Sequence, residues 1–516
     1  MRQTVAILGT PVDILDMDQT LERLEQFIQQ GHFHQVATAN TDFLVNAMSD
    51  PELQHILRRA DLVVPDGMPL IWASRIMGSP LRERVTGADL VPRLACLAAQ
   101  RGYRIYMLGA RPEIAQKAKE RLEADYPGIQ IVGCVSPPAA SLIEMNSEEL
   151  LADIERSAPD ILLVAFGNPK QEKWIHLHRE RLRNVPVCIG VGGTFDFIAG
   201  EVPRAPSVIQ KSGFEWIHRL AHNPRYLWKR YGRDLTQGGR HLWRQWNALR
   251  RQPRADKFDM CLAEAGGCAV ISLMGDFTST SLPRFRTLAI GYLNEGSHLI
   301  LDFQNVVSLD AEALGTLINL QKNAFDRGRS IRLVDVPAGI AKAFRYSRID
   351  DTFIPIAGSV AEALTDQVDG NLMWRMKCGC DSVAITVKGT PNSETVRDLE
   401  ATCERLLEEG KQIDLDVSEV SYINSTLLSI FYRLQRRFQE GSASRLRLVT
   451  GPTLVKALVK EELLGLFILC EVSEIPQDTK ELPQFMKDAR QMHRSNVDSE
   501  AESPDFVHSF SVASTS

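Results

Sequence analysis

At 516 residues the chain exceeds what one hydrophobic core organises, since cores stop growing near roughly 250–300 residues; about 150 residues per domain gives three or four units. A composition 44% hydrophobic and 24% charged, with 34 Gly and 25 Pro, reads as soluble and globular and excludes a collagenous, fibrous or wholly disordered protein. The net charge of −6 argues against a general nucleic-acid binder, yet residues 203–254 hold twelve Lys or Arg against Glu215 and Asp234.

That window carries +10 and leaves −16 for the rest, so one surface suits an anionic partner. No apolar run approaches the roughly 18–20 residues of a membrane span. The opening Met1-Arg2-Gln3-Thr4 runs into a strand without a signal-peptide cleavage pattern. Nine cysteines form no C-x-x-C pair, which suits thiols in a reducing compartment and implies a cytoplasmic chain.

Short apolar runs predict strands over 5–8, 35–38, 62–64, 104–108, 129–132, 161–165 and 187–191. Between them, helical periodicity covers 19–29, 42–59, 112–125, 147–157 and 169–182, with Asp18 as the N-cap of the first. Alternating strands and helices imply an α/β unit with a mostly parallel sheet covered on both faces. Ligands of such sheets bind at the carboxyl ends of the strands. Four polar clusters fall there: Thr38-Ala39-Asn40-Thr41-Asp42, Pro65-Asp66-Gly67, Gly167-Asn168-Pro169-Lys170-Gln171 and Gly192-Gly193-Thr194-Phe195-Asp196.

Residues 206–250 change to a basic, aromatic, helical segment holding Trp216, Trp228, Trp243 and Trp246, and 251–257 reads as a linker. An internal repeat follows. Gly275 and Gly389 end strand-like runs, Asp302 matches Asp416, Asp310 matches Asn424 and Leu314 matches Leu428, each at the same spacing along the chain. After one inserted residue, Ile331-Arg332-Leu333-Val334 matches Leu446-Arg447-Leu448-Val449. Two copies of a small α/β domain are therefore expected at 257–370 and 378–476, with a disordered tail over 478–516.

Asp66, at the end of a buried parallel strand, has the placement of a general base whose pKa burial can raise; a turn Asp before Gly67 is the alternative. Arg82 and Arg84, ahead of a helix start near Thr86-Gly87, suit a phosphate or a developing anion, or solvated surface. Lys170 and Gln171 fall in the first turn of a helix that opens with Pro169 and can contact diphosphate or sugar hydroxyls. The Gly190-Val191-Gly192-Gly193-Thr194 cluster allows close backbone approach without the G-x-G-x-x-G spacing. Asp16-Met17-Asp18, Asp414-Leu415-Asp416, His32/His34 and His176/His178 lack a full ligand set at metal spacing, so neither metal nor cofactor is expected.

In this order, Thr38-Ala39-Asn40, Pro65-Asp66-Gly67, Arg84-Val85-Thr86-Gly87, Pro169-Lys170-Gln171-Glu172-Lys173-Trp174, Gly192-Gly193-Thr194-Phe195-Asp196, Arg204-Ala205-Pro206, Glu215-Trp216-Ile217-His218-Arg219-Leu220 and Lys229-Arg230-Tyr231 form a specific pattern. Over residues 1–235 it resembles the WecG/TagA/CpsF glycosyltransferases. The resemblance implies a Rossmann-like domain over 1–205, and the family's basic appendage matches 204–235, which Trp243 and Trp246 extend within the basic segment over 206–250. It implies inverting, metal-independent transfer from a UDP-sugar to an undecaprenyl-diphosphate-linked sugar in cell-surface polysaccharide synthesis. Asp66 would then be the base, and Arg84 would act with it. Thr38, Asn40 and Gln171 would line the sugar and acceptor site, while Gly192, Gly193, Thr194 and Asp196 would hold the nucleotide. Arg204, Arg219, Arg225, Lys229 and Arg230 would meet the lipid diphosphate and an anionic membrane, placing the protein peripherally on the inner face.

The repeats resemble STAS domains, the fold of anti-sigma factor antagonists, whose signature carries a phosphorylatable Ser at a helix start. The first copy reads Asp310-Ala311-Glu312-Ala313-Leu314-Gly315 and holds Ala311 at that position; the second reads Asn424-Ser425-Thr426-Leu427-Leu428-Ser429 and keeps Ser425. Ser425 would be a phosphoacceptor for a kinase or regulator, or an ordinary hydroxyl at a helix start. A duplicated docking or regulatory tail on an enzyme is the leading reading. The alternative is a non-catalytic scaffold that senses a nucleotide-sugar.

Overall fold

The computed structural model describes residues 1–202 apart from 139, 143–144 and 146, then 228 and 232–365 apart from 256, 266 and 350–352. Further on it describes 373–378, 382–389, 391, 393–408, 410–420, 423–440, 446–449, 454 and 469–470. The chain divides into two units, Met1–Asp369 and Gly370–Ser516.

The first strand departs from expectation. β1 (Thr4–Ile7) pairs with an unanticipated β2 (Thr10–Asp13) in an antiparallel hairpin outside the main sheet. Leu8 and Gly9 both take positive φ, 50° and 81°, the backbone of a tight two-residue hairpin turn. Leucine rarely adopts that conformation, which hides the turn from a reading of residue types.

The main sheet comprises β3 (His34–Ala39), β4 (Leu62–Pro65), β5 (Arg104–Gly109), β6 (Gln130–Val135), β7 (Ile161–Ala165) and β8 (Val187–Gly190). Their order is β4-β3-β8-β7-β5-β6, and every pairing is parallel. Successive side chains alternate between faces. Ile105 and Met107 join one core with Leu24, Leu94 and Ile189, while Tyr106 and Leu108 join another with Leu162 and Trp174. Helices cover both faces: α1 (Met17–Gln30), α2 (Thr41–Ser49), α3 (Pro51–Arg59), α4 (Met68–Ile76), α5 (Gly87–Arg101), α6 (Pro112–Asp125), α7 (Glu148–Ser157), α8 (Lys170–Leu177) and the short α9 (Thr194–Ile198).

Two helix starts correct the sequence reading. Asp16 rather than Asp18 caps α1, accepting from Gln19 N at 2.8 Å while the Gln19 side chain accepts from Asp16 N. This reciprocal box needs an amide or acid three residues on, which only Asp16 has. Asp18 instead pairs with Arg93 at 3.0 Å. The helix expected over 42–59 is broken into α2 and α3 because Asp50 caps Leu53 N at 3.1 Å and Pro51 opens the second helix.

A single π turn (Asp234–Gly238) leads into α10 (Gly239–Arg250). Leu242, Trp246 and Leu249 of α10 pack on the core around Leu44, Leu70 and Met77. Gln245 completes the edge of β1, accepting from Leu8 N at 3.0 Å and donating to Ala6 O at 2.8 Å.

The first repeat is a five-stranded sheet: β9 (Phe258–Ala265), β10 (Cys268–Phe277), β11 (His298–Leu309), β12 (Ile331–Val334) and β13 (Ile356–Ala357), in the order β13-β12-β11-β10-β9. Only β9 and β10 pair antiparallel. Helices α11 (Leu282–Asn294), α12 (Ala311–Phe325), α13 (Ala338–Tyr346) and α14 (Val360–Thr365) pack on it. β10 runs on through Gly275 rather than ending there, because a register shift absorbs the glycine. α12 lies on the β1–β2 hairpin: a Cβ on Gly315 would sit 2.4 Å from Thr4 O, and Asn319 Nδ2 donates to Thr4 Oγ1 at 2.8 Å.

The second unit repeats this layout with β14 (Met373–Cys378), β15 (Ser382–Gly389), β16 (Gln412–Val420), β17 (Leu446–Val449) and β18 (Leu469–Cys470) in the order β14-β15-β16-β17-β18. Again only the first pair is antiparallel. Its described helices include α15 (Ser393–Glu408) and α16 (Ser425–Glu440).

Candidate active site at the carboxyl ends of the parallel strands

The ends of β3, β4 and β8 meet the start of α5. Asp66 follows β4, and its N–H donates to Ala39 O at 2.7 Å, which ties the β4 loop to the end of β3. Val85 N donates to Pro65 O at 2.9 Å and brings the Arg84 loop to the same place. Thr86 caps α5 by accepting from Asp89 N. Arg84, mostly buried, lies 3.9 Å from the Asp89 carboxylate.

Glycine 87 marks the convergence. A Cβ there would sit 2.7 Å from Thr194 Oγ1 and 3.9 Å from Thr38 Oγ1, so three elements distant in sequence close on one point. The Thr38 hydroxyl donates to Gly190 O at 2.9 Å and that of Thr194 to Val191 O at 2.6 Å. Both keep acceptor lone pairs. Asn40 caps α2, accepting from Phe43 N at 3.2 Å, and a Cβ on Gly67 would lie 3.8 Å from Asn40 Cβ. Gly192 has φ +53° with open space around it, and Asp196, half-buried, lies in the first turn of α9. Two residues beyond Asp66, Met68 lines a cavity of about 450 Å³ with Arg75, Arg82, Arg84 and Asp89. Arginines outnumber acids there, with an apolar floor from Met17, Ile71 and Pro92, which suits an anionic ligand.

The α8 loop behaves differently from expectation. Gln171 is fully buried, and both ends of its amide are engaged. Its Oε1 accepts from Gly192 N at 2.9 Å and Gly167 N at 3.2 Å, while Nε2 donates to Glu172 Oε1 at 2.7 Å. It clamps two loops of the site from behind. Lys170 turns away, donating to Ala140 O and lying over the Phe166 ring. Sequence reasoning missed Glu172, a carboxylate 1% exposed whose pKa burial pushes up to about 7. The one available signal was its place inside the quoted run from Pro169 to Trp174. Lys173, beside it, is buried against Asp50 at 2.9 Å and Glu52 at 2.7 Å.

Arg204, Arg219, Arg225, Lys229 and Arg230 lie outside the described residues. No helix among the described residues is long and apolar enough to cross a membrane. Ser425 opens α16 and is 4% exposed, with Asn424 as the cap accepting from Leu427 N at 2.8 Å.

Residues 5–252 match the glycosyl transferase WecG/TagA/CpsF family, and residues 260–357 match a STAS domain of the Mlab type. Among curated relatives, an N-acetylglucosaminyldiphosphoundecaprenol N-acetyl-beta-D-mannosaminyltransferase of Bacillus spizizenii is 33% identical over 222 residues, 42% of this chain and 84% of that protein. Proteins of the same name from Bacillus subtilis and Staphylococcus aureus (strain MRSA252) are 31% and 30% identical, each covering 44% of this chain and 87% of the relative. A solved anti-sigma factor antagonist from Mycobacterium paratuberculosis aligns over 23% of this chain and 94% of its own, at 16% identity and a TM-score of 0.18.

Proposed function

The chain belongs to the WecG/TagA/CpsF glycosyl transferase family, and on that premise we propose that it moves a sugar from a UDP-sugar to an undecaprenyl-diphosphate-linked sugar. The observation that carries this reading is the meeting of Thr38 and Thr194 at Gly87, with backbone bonds tying the loops of Asp66 and Arg84 to the same strand ends, beside a cavity rich in arginine. Asp66 takes the proton of the acceptor hydroxyl as that oxygen attacks the anomeric carbon. The bond from that carbon to the diphosphate breaks, and UDP leaves with the electron pair. Attack and departure on opposite faces invert the anomeric centre. Arg84 meets the charge that grows on the departing diphosphate. Gly192, Gly193, Thr194 and Asp196 bracket the nucleotide, and Asn40 orients the acceptor sugar.

The basic segment with Arg204, Arg219, Arg225, Lys229 and Arg230 engages the lipid diphosphate and the anionic inner face of the membrane, where each Lys or Arg near the surface contributes about 1 kcal/mol. The outward Trp243, 57% exposed, suits the same interface. The repeats dock or regulate.

The test is UDP release from UDP-sugars with a lipid-diphosphate sugar acceptor. Asp66→Asn is expected to cut turnover by about 10²–10⁴ while UDP still binds. Undiminished turnover would remove Asp66 from the mechanism, and UDP binding without any turnover in the wild type would favour a nucleotide-sugar sensor.

A further inference from the structure

Glu172 sits at the centre of a row of amides that starts behind the glycine loop of the candidate site. Its oxygens accept from Gln171 Nε2 at 2.7 Å and from Asn168 Nδ2 at 2.9 Å. On one side, Gln171 Oε1 accepts from the backbone of Gly192 and Gly167. On the other, Asn168 Oδ1 accepts from Asn46 Nδ2 at 2.8 Å, and Asn46 Oδ1 accepts from Arg233 at 2.9 Å. Arg233 also pairs with Asp42 and stands just before the π turn that opens α10. The row therefore runs from the glycine loop after β8 to Arg233, in the middle of the basic segment.

The direction of every bond is forced. Backbone N–H groups and a guanidinium only donate, so Gln171 and Asn46 must turn oxygen outward. Each amide then points its NH₂ inward, and two donors face Glu172. An ionised carboxylate accepts from both. A protonated one brings a third donor into a space that already holds two, and the oxygen that carries the proton becomes a weaker acceptor for its amide.

We propose that Glu172 is a positioning residue of this site: as an ionised acceptor it orders the amide row, holds the Gly192 backbone in place for a nucleotide diphosphate, and links that loop to Arg233 in the basic segment. The inference deepens the glycosyltransferase reading and rests on it. The pKa of Glu172 supports it, because burial raises the value to about 7 while the two amide bonds pull it down. The row is thus complete while Glu172 is ionised and loosens as it takes up a proton.

Other ionisable groups on the elements packed against Glu172 are engaged elsewhere. Lys173 pairs with Asp50 and Glu52, and Lys170 reaches Ala140 O. His176 and His55 are held neutral by burial and neighbouring arginines, the latter with its pKa near about 3. His34 on β3 is lowered by burial and Cys188 on β8 is raised by it. Arg58 and Arg59 of α3 turn toward Phe353 and Phe325, and Asp42 of α2 holds Arg233.

Calorimetric titration of UDP into the full chain, wild type against Glu172→Gln, across about pH 5.5 to about 8.5, tests the proposal. The ratio of the two affinities cancels the titration of UDP itself. At about pH 8 the variant is expected to bind about 10- to 100-fold more weakly, because its new NH₂ faces another donor. Toward about pH 6 the two should converge, since the wild-type carboxyl is then protonated too. Asn168→Asp replaces a donor with a second carboxylate, and should move the midpoint of the wild-type profile up by about one unit or more. It decides the matter if Glu172→Gln does not fold. A pH-independent ratio, or an unmoved midpoint in Asn168→Asp, overturns the proposal. A wild type that binds no UDP at any pH overturns the glycosyltransferase reading beneath it instead.

Discussion

The two repeats share a strand order and an antiparallel first pair, yet the corresponding helices have different work. In the first, Ala311 at the start of α12 is buried in the same core as Val5 and Ile7 of the hairpin, and Gly315 lets the helix approach Thr4. Lys322 pairs with Asp61 just ahead of β4, and Arg59 pairs with Asp326 at 2.8 Å. In the second, the same positions read Ser425, Ser429 and Arg436, and the repeat belongs to a separate unit. The frame itself is held in both copies by the same local device: Asp302 accepts from Gln304 N at 2.9 Å and Asp416 from Ser418 N at 3.0 Å. Duplication kept the fold and let one surface become part of the catalytic unit.

Removing the first repeat should have the largest effect. A chain ending at residue 256 uncovers the hairpin core and is expected to lose several kcal/mol, roughly 10 °C or more in melting temperature. A chain ending at Asp369 should keep both its melting transition and UDP release. Equal melting of the two truncated chains would break the comparison.

Gly315→Val tests the contact itself. Its Cβ would collide with the Thr4 backbone, so the first unit should lose about 1–3 kcal/mol by overpacking, read as a shift in denaturant midpoint. Ser429→Val at the corresponding place should leave that midpoint alone.

Lys322→Ala is expected to cost about 1–2 kcal/mol, since the pair is only partly exposed. Burial works to raise the Asp61 pKa, but Lys322 and the Gln35 N–H outweigh it and hold it below the ordinary value of 3.8. A depressed acid contributes stability above its unfolded pKa and loses it as the pH falls through the folded one. Acid unfolding followed by circular dichroism should therefore begin at higher pH in Lys322→Ala.

The smallest effect is expected at Ser425. Ser425→Asp should weaken capture of a protein partner by the full chain, with UDP release unchanged in it and in Ser425→Ala. Identical capture by all forms, with no phosphate on Ser425 by peptide mapping, would make the tail a constitutive module. Ser425 is buried as α16 opens, so phosphate there would also require that turn to open.

Much of the catalytic sheet was legible because buried parallel strands read as short apolar runs. Ile161–Ala165 and Pro112–Asp125 fall where periodicity put them. The β1–β2 hairpin was not legible, because Leu8 sits in a backbone conformation that its side chain does not advertise. Among site residues, Asp66 and Arg84 could be singled out by loop position and charge. Gln171 could be found but not understood, since whether an amide faces a ligand or a neighbouring loop depends on what lies behind it.

Sequence alone settled what depends on neighbours along the chain: the alternation of strands and helices, the glycines and polar residues at strand ends, the charge of the 203–254 segment and the doubled domain. Tertiary structure alone decided which of these meet. It brought Gly87 against Thr194 and Thr38, set α12 on the hairpin, and enclosed Glu172 between two amides. The reason is physical. Periodicity and turn chemistry act over a few residues, whereas desolvation and hydrogen-bond direction are properties of the groups that packing places side by side.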